Sequence, residues 1–180
     1  MKRKQRDIFH GVKDGDTAAV KKFLEAGADM NVRDQFGNTP LHIVCRKGHT
    51  DIVRLLIEHG ADVNARNTWD RTPLHRACFD DHPDIVRLLI DHGADLNVRD
   101  TIGRTPLHYA CTYGFTGLVR LLLEHGADVN VRNKWDDTPL DQIMKLHPNP
   151  TREEILDLFR EYAPELVMEA FCTMSPGGQT

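Results

Sequence analysis

The sequence predicts an all-α solenoid in which five helix-turn-helix units stack side by side, joined by β-hairpin-like loops and closed by an extra C-terminal helix. Two observations favour this fold class. A Thr-Pro-Leu motif recurs at a constant interval of 33 residues, and each interval contains two short stretches with the apolar spacing of a helix. Because one such unit is too small to bury its own apolar face, a series of units is expected to stack.

The repeat period is carried by two motifs in the same register. Thr-Pro-Leu begins at Thr39, Thr72, Thr105 and Thr138, and the first three copies continue with His42, His75 and His108. Gly-Ala-Asp begins at Gly27, Gly60, Gly93 and Gly126, and each copy reaches an asparagine four residues after its glycine. Two motifs that keep one period over four copies indicate repeated supersecondary units.

Residues 34–66 illustrate the first half of a unit. Thr39 is a candidate N-cap, and Pro40 fits the first helical position, where a missing N–H costs nothing. These residues predict a helix that runs to about Lys47 and ends at Gly48.

The second half of the same unit predicts another helix. Thr50 is expected to cap a helix over 51–59, with an apolar stripe of Ile52, Val53, Leu55 and Leu56. Gly60 fits a left-handed C-cap, and the polar residues 61–71 predict a loop or short hairpin before the next Thr-Pro.

These motifs resemble the ankyrin repeat. The resemblance is carried by Thr39-Pro40-Leu41-His42, Gly48-His49, Ile52-Val53 and Gly60-Ala61-Asp62-Val63-Asn64, and it recurs from about residue 7 to residue 140. It implies antiparallel helix pairs in a slightly curved solenoid, whose hairpin tips and first helices form a concave binding face. It implies no catalysis.

The two ends depart from the repeat and are interpreted as caps. Residues 1–33 form a charged N-terminal capping repeat, which a solenoid needs to stay soluble. Thr151 and Glu154 predict a capping box, and Pro164 predicts the start of a last helix. The expected organisation is one domain over 1–172, followed by a disordered tail at 173–180. Its parts are the capping repeat, three consensus-like repeats at 34–66, 67–99 and 100–132, a divergent repeat at 133–163, and a capping helix at 164–172.

Composition limits the class of protein. The formal net charge is -4, with 40% hydrophobic and 28% charged residues, as in an ordinary globular domain. No apolar run approaches the roughly 20 residues of a membrane span, and the basic start is not followed by an apolar signal segment. We expect a cytoplasmic monomer, although the sequence leaves open export into another cell without a cleavable signal.

Catalysis is not expected from the sequence. Ser175 is the only serine, and the chain lacks GxGxxG, GxxxxGK[ST], HExxH and GxSxG motifs. No cofactor is therefore predicted.

A histidine and a cysteine stand one helical turn apart in three successive units, which invites a metal hypothesis. Each unit offers two ligands rather than four, and neighbouring helices pack about 8 to 10 Å apart, too far for their thiols to converge on one ion. We therefore predict no metal: each histidine bonds loop backbone and each cysteine fills the core. The residues are His42, His75, His108, Cys45, Cys78 and Cys111. The recurring Asp and Asn after each glycine are likewise interpreted as turn residues.

Candidate binding residues are those that vary while the repeat frame stays constant. The loop tips carry a row of large side chains, Phe36, Trp69, Ile102 and Trp135, beside the arginines Arg66, Arg71, Arg99, Arg104 and Arg132. The first helices are expected to present Arg46, Lys47, Phe79, Thr112 and Tyr113 towards the same groove. Trp, Tyr and Arg are enriched among interface hot spots.

The function predicted from these residues is a non-catalytic module that binds a protein partner with an acidic patch. A regulatory subunit or inhibitor of an enzyme is the alternative. Nucleic-acid binding by the same arginines is disfavoured by the net charge of -4 and by the acids interleaved with them. A purely structural interpretation also stays open, in which the tip aromatics pack on adjacent loops and the arginines pair with Asp34 and Asp100.

Overall fold

The structure is a computed structural model that describes residues 2–145 and 150–168, with side chains from residue 8 onward. The predicted tail at 173–180, part of the predicted capping helix and the linker residues 146–149 lie outside the described residues. The extent of the single domain, 1–172, stays a prediction.

The described residues form helices in consecutive pairs, without a β-strand. The helices are α1 (Lys2–Asp14), α2 (Thr17–Glu25), α3 (Pro40–Lys47), α4 (Thr50–Glu58), α5 (Pro73–Phe79), α6 (Pro83–Asp91), α7 (Pro106–Tyr113), α8 (Thr116–Glu124), α9 (Pro139–Met144) and α10 (Pro150–Tyr162). A further segment, α11, is helical over 164–168. Within the described ranges, none of the helices has the length and apolarity needed to cross a bilayer.

Helix contacts define a two-layer stack. Each odd-numbered helix from α1 to α9 packs on the next odd-numbered one, the even-numbered helices from α2 to α10 form the second layer in the same way, and the two helices of each pair contact one another. This confirms the predicted all-α solenoid. No contact is needed between units that are not neighbours.

Local sequence explains where the helices begin. Thr39, Thr72, Thr105 and Thr138 are the N-caps of α3, α5, α7 and α9, each with extended backbone and followed by a proline at the first helical position. Two expectations were wrong: Thr50 is the first residue of α4, whose N-cap is His49, and α10 begins at Pro150, so Thr151 lies inside its first turn. Helix α4 therefore begins at its predicted cap residue, and α10 begins one residue before its predicted cap.

The core lies between the two layers. Leu41, Leu74 and Leu107 from the first helices and Val53 and Val86 from the second helices are fully buried. The three cysteines of the repeat are buried with them, as predicted, and burial raises the pKa of each thiol.

A ladder of buried histidines joins each unit to the next. The Thr39 N–H donates to His42 Nδ1 (3.1 Å), so the proton sits on Nε2, which donates to the carbonyl of Arg71 in the next unit (2.9 Å). His75 and His108 repeat this arrangement towards Arg104 (3.2 Å) and Asp137 (3.1 Å). The prediction that these histidines bond loop backbone is confirmed.

Candidate protein-interaction surface

The loop tips are held in a fixed shape by one side chain each. In the first tip, Asp34 Oδ1 accepts from the backbone N–H of Phe36 and of Asn38, both at 2.9 Å. Asn67, Asp100 and Asn133 do the same in the following tips. A backbone bond across four residues closes each tip, for example Asn67 N–H to Arg71 carbonyl at 3.0 Å, which gives a hairpin-like turn.

Neighbouring tips are also bonded to each other. The N–H groups of Thr68, Thr101 and Lys134 donate to the carbonyls of Phe36, Trp69 and Ile102, each at 3.0 Å. The tip row is therefore one continuous hydrogen-bonded edge. We call the surface formed by the four tips together with α3, α5, α7 and α9 the tip face.

All three of the predicted tip aromatics are exposed on this face. Phe36 is 45% exposed, Trp69 38% and Trp135 59%. Phe36 stacks on Trp69, with ring centroids 5.6 Å apart and planes inclined by 25°. Ile102 is half-buried. The stack holds two large rings against each other without removing them from solvent.

A second aromatic cluster lies where α5 and α7 end. Phe79 and Tyr113 are both exposed, and their rings meet edge to face at 5.0 Å. Phe115, which the sequence analysis did not select, stacks on Tyr113 at 5.8 Å. Thr112 is half-buried, and its hydroxyl donates to the His108 carbonyl (2.8 Å) rather than projecting freely from the surface.

Arg71 is engaged inside the protein. Its Nε donates to Asp100 Oδ2 (3.2 Å) and its Nη2 to the Tyr109 hydroxyl (2.7 Å), which in turn donates to Asp100 Oδ2 (2.7 Å). This pairing with Asp100 is the structural role that the sequence analysis left open. A part for Arg71 in partner binding stays a prediction.

Asp100 is the ionised centre of that network. Its side chain has 0% exposure, and burial alone would raise its pKa. Hydrogen bonds from the Tyr109 hydroxyl, the Arg104 and Ile102 amides and the Arg71 guanidinium outweigh burial and hold the pKa of Asp100 below its usual value. Burial, the bond to Asp100 and the charge of that carboxylate raise the pKa of Tyr109 to about 12.

Two other guanidinium groups lie on aromatic rings of the tip face. Arg104 Cζ is 5.7 Å from the centroid of Tyr109 and 5.4 Å from that of Trp135. Arg76 Cζ is 5.9 Å from the centroid of Trp69. Arg76 was not selected from the sequence, although its position varies: the matching positions in the neighbouring units hold Ile43 and Tyr109. An arginine that occurs at this repeat position in only one of three units is the sequence feature that could have identified Arg76 as a candidate binding residue.

The remaining basic residues fall into two groups. The first group stabilises the tips. Arg33 donates to the carbonyls of Gly37 (3.2 Å) and Arg66. Arg99 donates to the carbonyl of Arg132 (2.8 Å), whose own side chain pairs with Asp136 (3.2 Å). Arg46, Lys47 and Arg66 have exposed side chains, and no ion pair is formed by them in the part of the chain that the structure describes.

The described residues offer no group of three or more His, Cys, Asp or Glu side chains arranged to hold a metal ion.

Comparison with protein families gives a match to the model for ankyrin repeats in three copies, over residues 8–100, 60–133 and 99–149. A search of curated proteins found no individual match.

Proposed function

Because the chain belongs to the ankyrin repeat family, whose members are generally protein–protein interaction modules and typically non-catalytic, we propose that it binds an acidic segment of a protein partner through the tip face. The contact residues proposed are those selected from the sequence, joined by Arg76 and Phe115. Its action as a monomer in the cytoplasm remains part of this proposal.

The observation that carries the proposal is a pair of exposed aromatic clusters on a rigid frame. Phe36 and Trp69 stack on the bonded tip row, and Phe79 and Tyr113 meet at the ends of α5 and α7. Exposed aromatic groups of this kind are typical of interaction sites. Because the frame is already ordered by its hydrogen bonds, docking costs little conformational entropy.

Charge supports an acidic partner. Arg46, Lys47, Arg76 and Arg104 lie on or beside the first helices of three successive units, and none of them has an ion-pair partner among the described residues. A basic patch within a chain of net charge -4 favours carboxylates of a protein over nucleic acid. Regulation or inhibition of a bound enzyme would use the same contacts, and an activity assay on the captured partner distinguishes it from plain binding.

The double variant Trp69→Ala/Tyr113→Ala tests this function. It removes one ring from each aromatic cluster, and we expect partner affinity to fall by about 1 to 4 kcal/mol, since buried Trp and Tyr dominate such interfaces. Affinity capture from a lysate is carried out with the wild type and with the double variant. The partners that only the wild type recovers are then titrated to measure their affinity for each protein.

Tyr162→Ala is the matched control, because Tyr162 is an exposed aromatic of α10, in the second layer of helices. It should bind as the wild type does, and all variants should retain the wild-type helical circular dichroism. Equal affinity of the double variant and the wild type for every partner would show that the tip face is not the binding surface.

A further inference from the structure

Among the half-buried arginines of the tip face, Arg76 and Arg104 have no acid to bind in the described part of the chain. Both are half-buried, and neither makes an ion pair in the described residues. The Nε atom of Arg104 is buried without a hydrogen-bond partner there. Arg71, by contrast, is satisfied by Asp100 and Tyr109.

Two acids lie near these arginines, and neither forms an ion pair with them in the described residues. Asp100 gives its Oδ2 to Arg71 and Tyr109 and its Oδ1 to two backbone amides. Asp80 interacts electrostatically with His82, Arg46, Arg76 and Lys47, but it forms no ion pair within 4 Å with any described base, and its Oδ2 is buried without a hydrogen-bond partner there. Positive charge is thus left in excess where burial makes an unpaired charge costly.

The rings orient both groups for an incoming anion. A guanidinium that rests on an aromatic face keeps its N–H donors in the plane, where they point past the ring edge. Trp69 lies against Arg76, and Trp135 and Tyr109 lie against Arg104. Each arginine is therefore a preformed donor for one carboxylate.

The two arginines lie in adjacent units of the stack. Arg76 lies on α5 and Arg104 lies just before α7, so the two occupy different positions of adjacent units, whose helices pack about 8 to 10 Å apart. A segment in polyproline II conformation rises about 3.1 Å per residue, so a short extended segment spans adjacent units.

We propose that the tip face binds two acidic side chains on an extended segment of the partner, one at Arg76 and the other at Arg104. This inference rests on the proposed function and adds to it the two arginines that bind the acidic side chains. The Phe79–Tyr113 cluster flanks the path of the segment and provides apolar contact beside the acidic pair.

Selection from a displayed library of random 12-residue peptides tests the pair without knowledge of the partner. We expect the enriched peptides to share a pair of acidic residues. Their affinity should fall roughly tenfold in Arg76→Gln and in Arg104→Gln, the loss expected for one charge-assisted bond, and it should fall further with added salt. Arg87→Gln on α6 makes the same charge change at an exposed site of the second layer and should bind like the wild type.

The two tryptophans report on the two arginines separately. They are the only tryptophans in the chain, so Trp135→Phe leaves Trp69 beside Arg76, and Trp69→Phe leaves Trp135 beside Arg104. A selected peptide should change the emission of both single-tryptophan proteins. Arg76→Gln should remove the response of Trp69 while that of Trp135 remains, and Arg104→Gln should do the reverse.

Peptides that lack the acidic pair, or that bind both glutamine variants with wild-type affinity, would overturn this inference. So would a selection that returns no binder, while lysate capture would still test the proposed function. Peptides that bind without altering either tryptophan, and that are insensitive to Trp69→Ala/Tyr113→Ala, would instead show that the tip face is not the binding surface.

Discussion

At the scale of single residues, the side chains of His42, His75 and His108 hydrogen-bond each unit to the next. Each ring accepts a backbone N–H through Nδ1 and donates through Nε2 to the next unit. This pairing requires a neutral imidazole with a fixed tautomer. Because burial lowers the pKa of His42 and His75 to about 4, and lowers that of His108, the folded protein keeps all three rings neutral at pH 7.

The ladder makes stability depend on pH. An unfolded histidine takes up a proton near pH 6.5, whereas folded His42 and His75 resist protonation to about pH 4. The stabilising contribution is therefore complete above pH 6.5 and is lost as the pH falls towards 4, by up to about 2 kcal/mol per histidine at pH 5. Urea unfolding at pH 7.5 and pH 5.0 measures this loss.

Substitution identifies the source of the pH effect. His75→Gln removes one of the three buried histidines. The difference in unfolding free energy between the two pH values should therefore shrink by about a third. His10→Gln, at an exposed position of α1, should leave the difference as in the wild type. An unchanged difference in His75→Gln would mean that other groups cause the acid sensitivity.

At the scale of elements, the turns between helices show which glycines are required by contact and which by backbone alone. Gly48 and Gly60 both have positive φ, of 77° and 84°. A Cβ at Gly48 would lie 2.7 Å from Cε1 of His82 in the next unit, whereas a Cβ at Gly60 would meet nothing within 4 Å. The first turn is thus a packing surface between units and the second is open.

We expect Gly48→Ala to destabilise the protein more than Gly60→Ala. Both variants bear the left-handed backbone cost of about 1 kcal/mol, and Gly48→Ala also displaces the His82 ring, for a total of roughly 2 to 3 kcal/mol, within the range of overpacking. Chemical unfolding of the two variants gives the comparison. Equal losses would mean that His82 moves aside freely.

The elements that the sequence predicted are those fixed by neighbours in the chain. Thr39, Pro40 and Gly48 determine the ends of α3 through local backbone chemistry. The amino-acid sequence alone is therefore enough to predict where this helix begins and ends. The bond of Arg71 to Asp100 joins residues 29 apart, and the side chain of a long arginine has many rotamers. Nothing in the repeat pattern states that Arg71 is satisfied while Arg104 is not.

At the scale of the whole molecule, the unfolding of one unit is expected to affect directly only the units adjacent to it. The helices α2, α4, α6 and α8 contact their neighbours in order, and the first unit has a described neighbour on one side, whereas the third has neighbours on both. In such a stack, opening of a unit removes the support of those beside it, and an inner unit supports more of the chain than an outer one.

Val20 and Val86 test this coupling because they occupy the same position in the first and third units, and both are fully buried. Replacing either by alanine leaves the same small cavity and should cost roughly 2 kcal/mol locally. Hydrogen exchange read by mass spectrometry should show Val86→Ala accelerating exchange by about thirtyfold from α3 to α8, and Val20→Ala accelerating it mainly in α1 and α2. If Val20→Ala accelerated α7 and α8 as strongly as α1, the chain would open as one cooperative body and not as a row of coupled units, and the rigidity of the tip face would then depend on every unit at once.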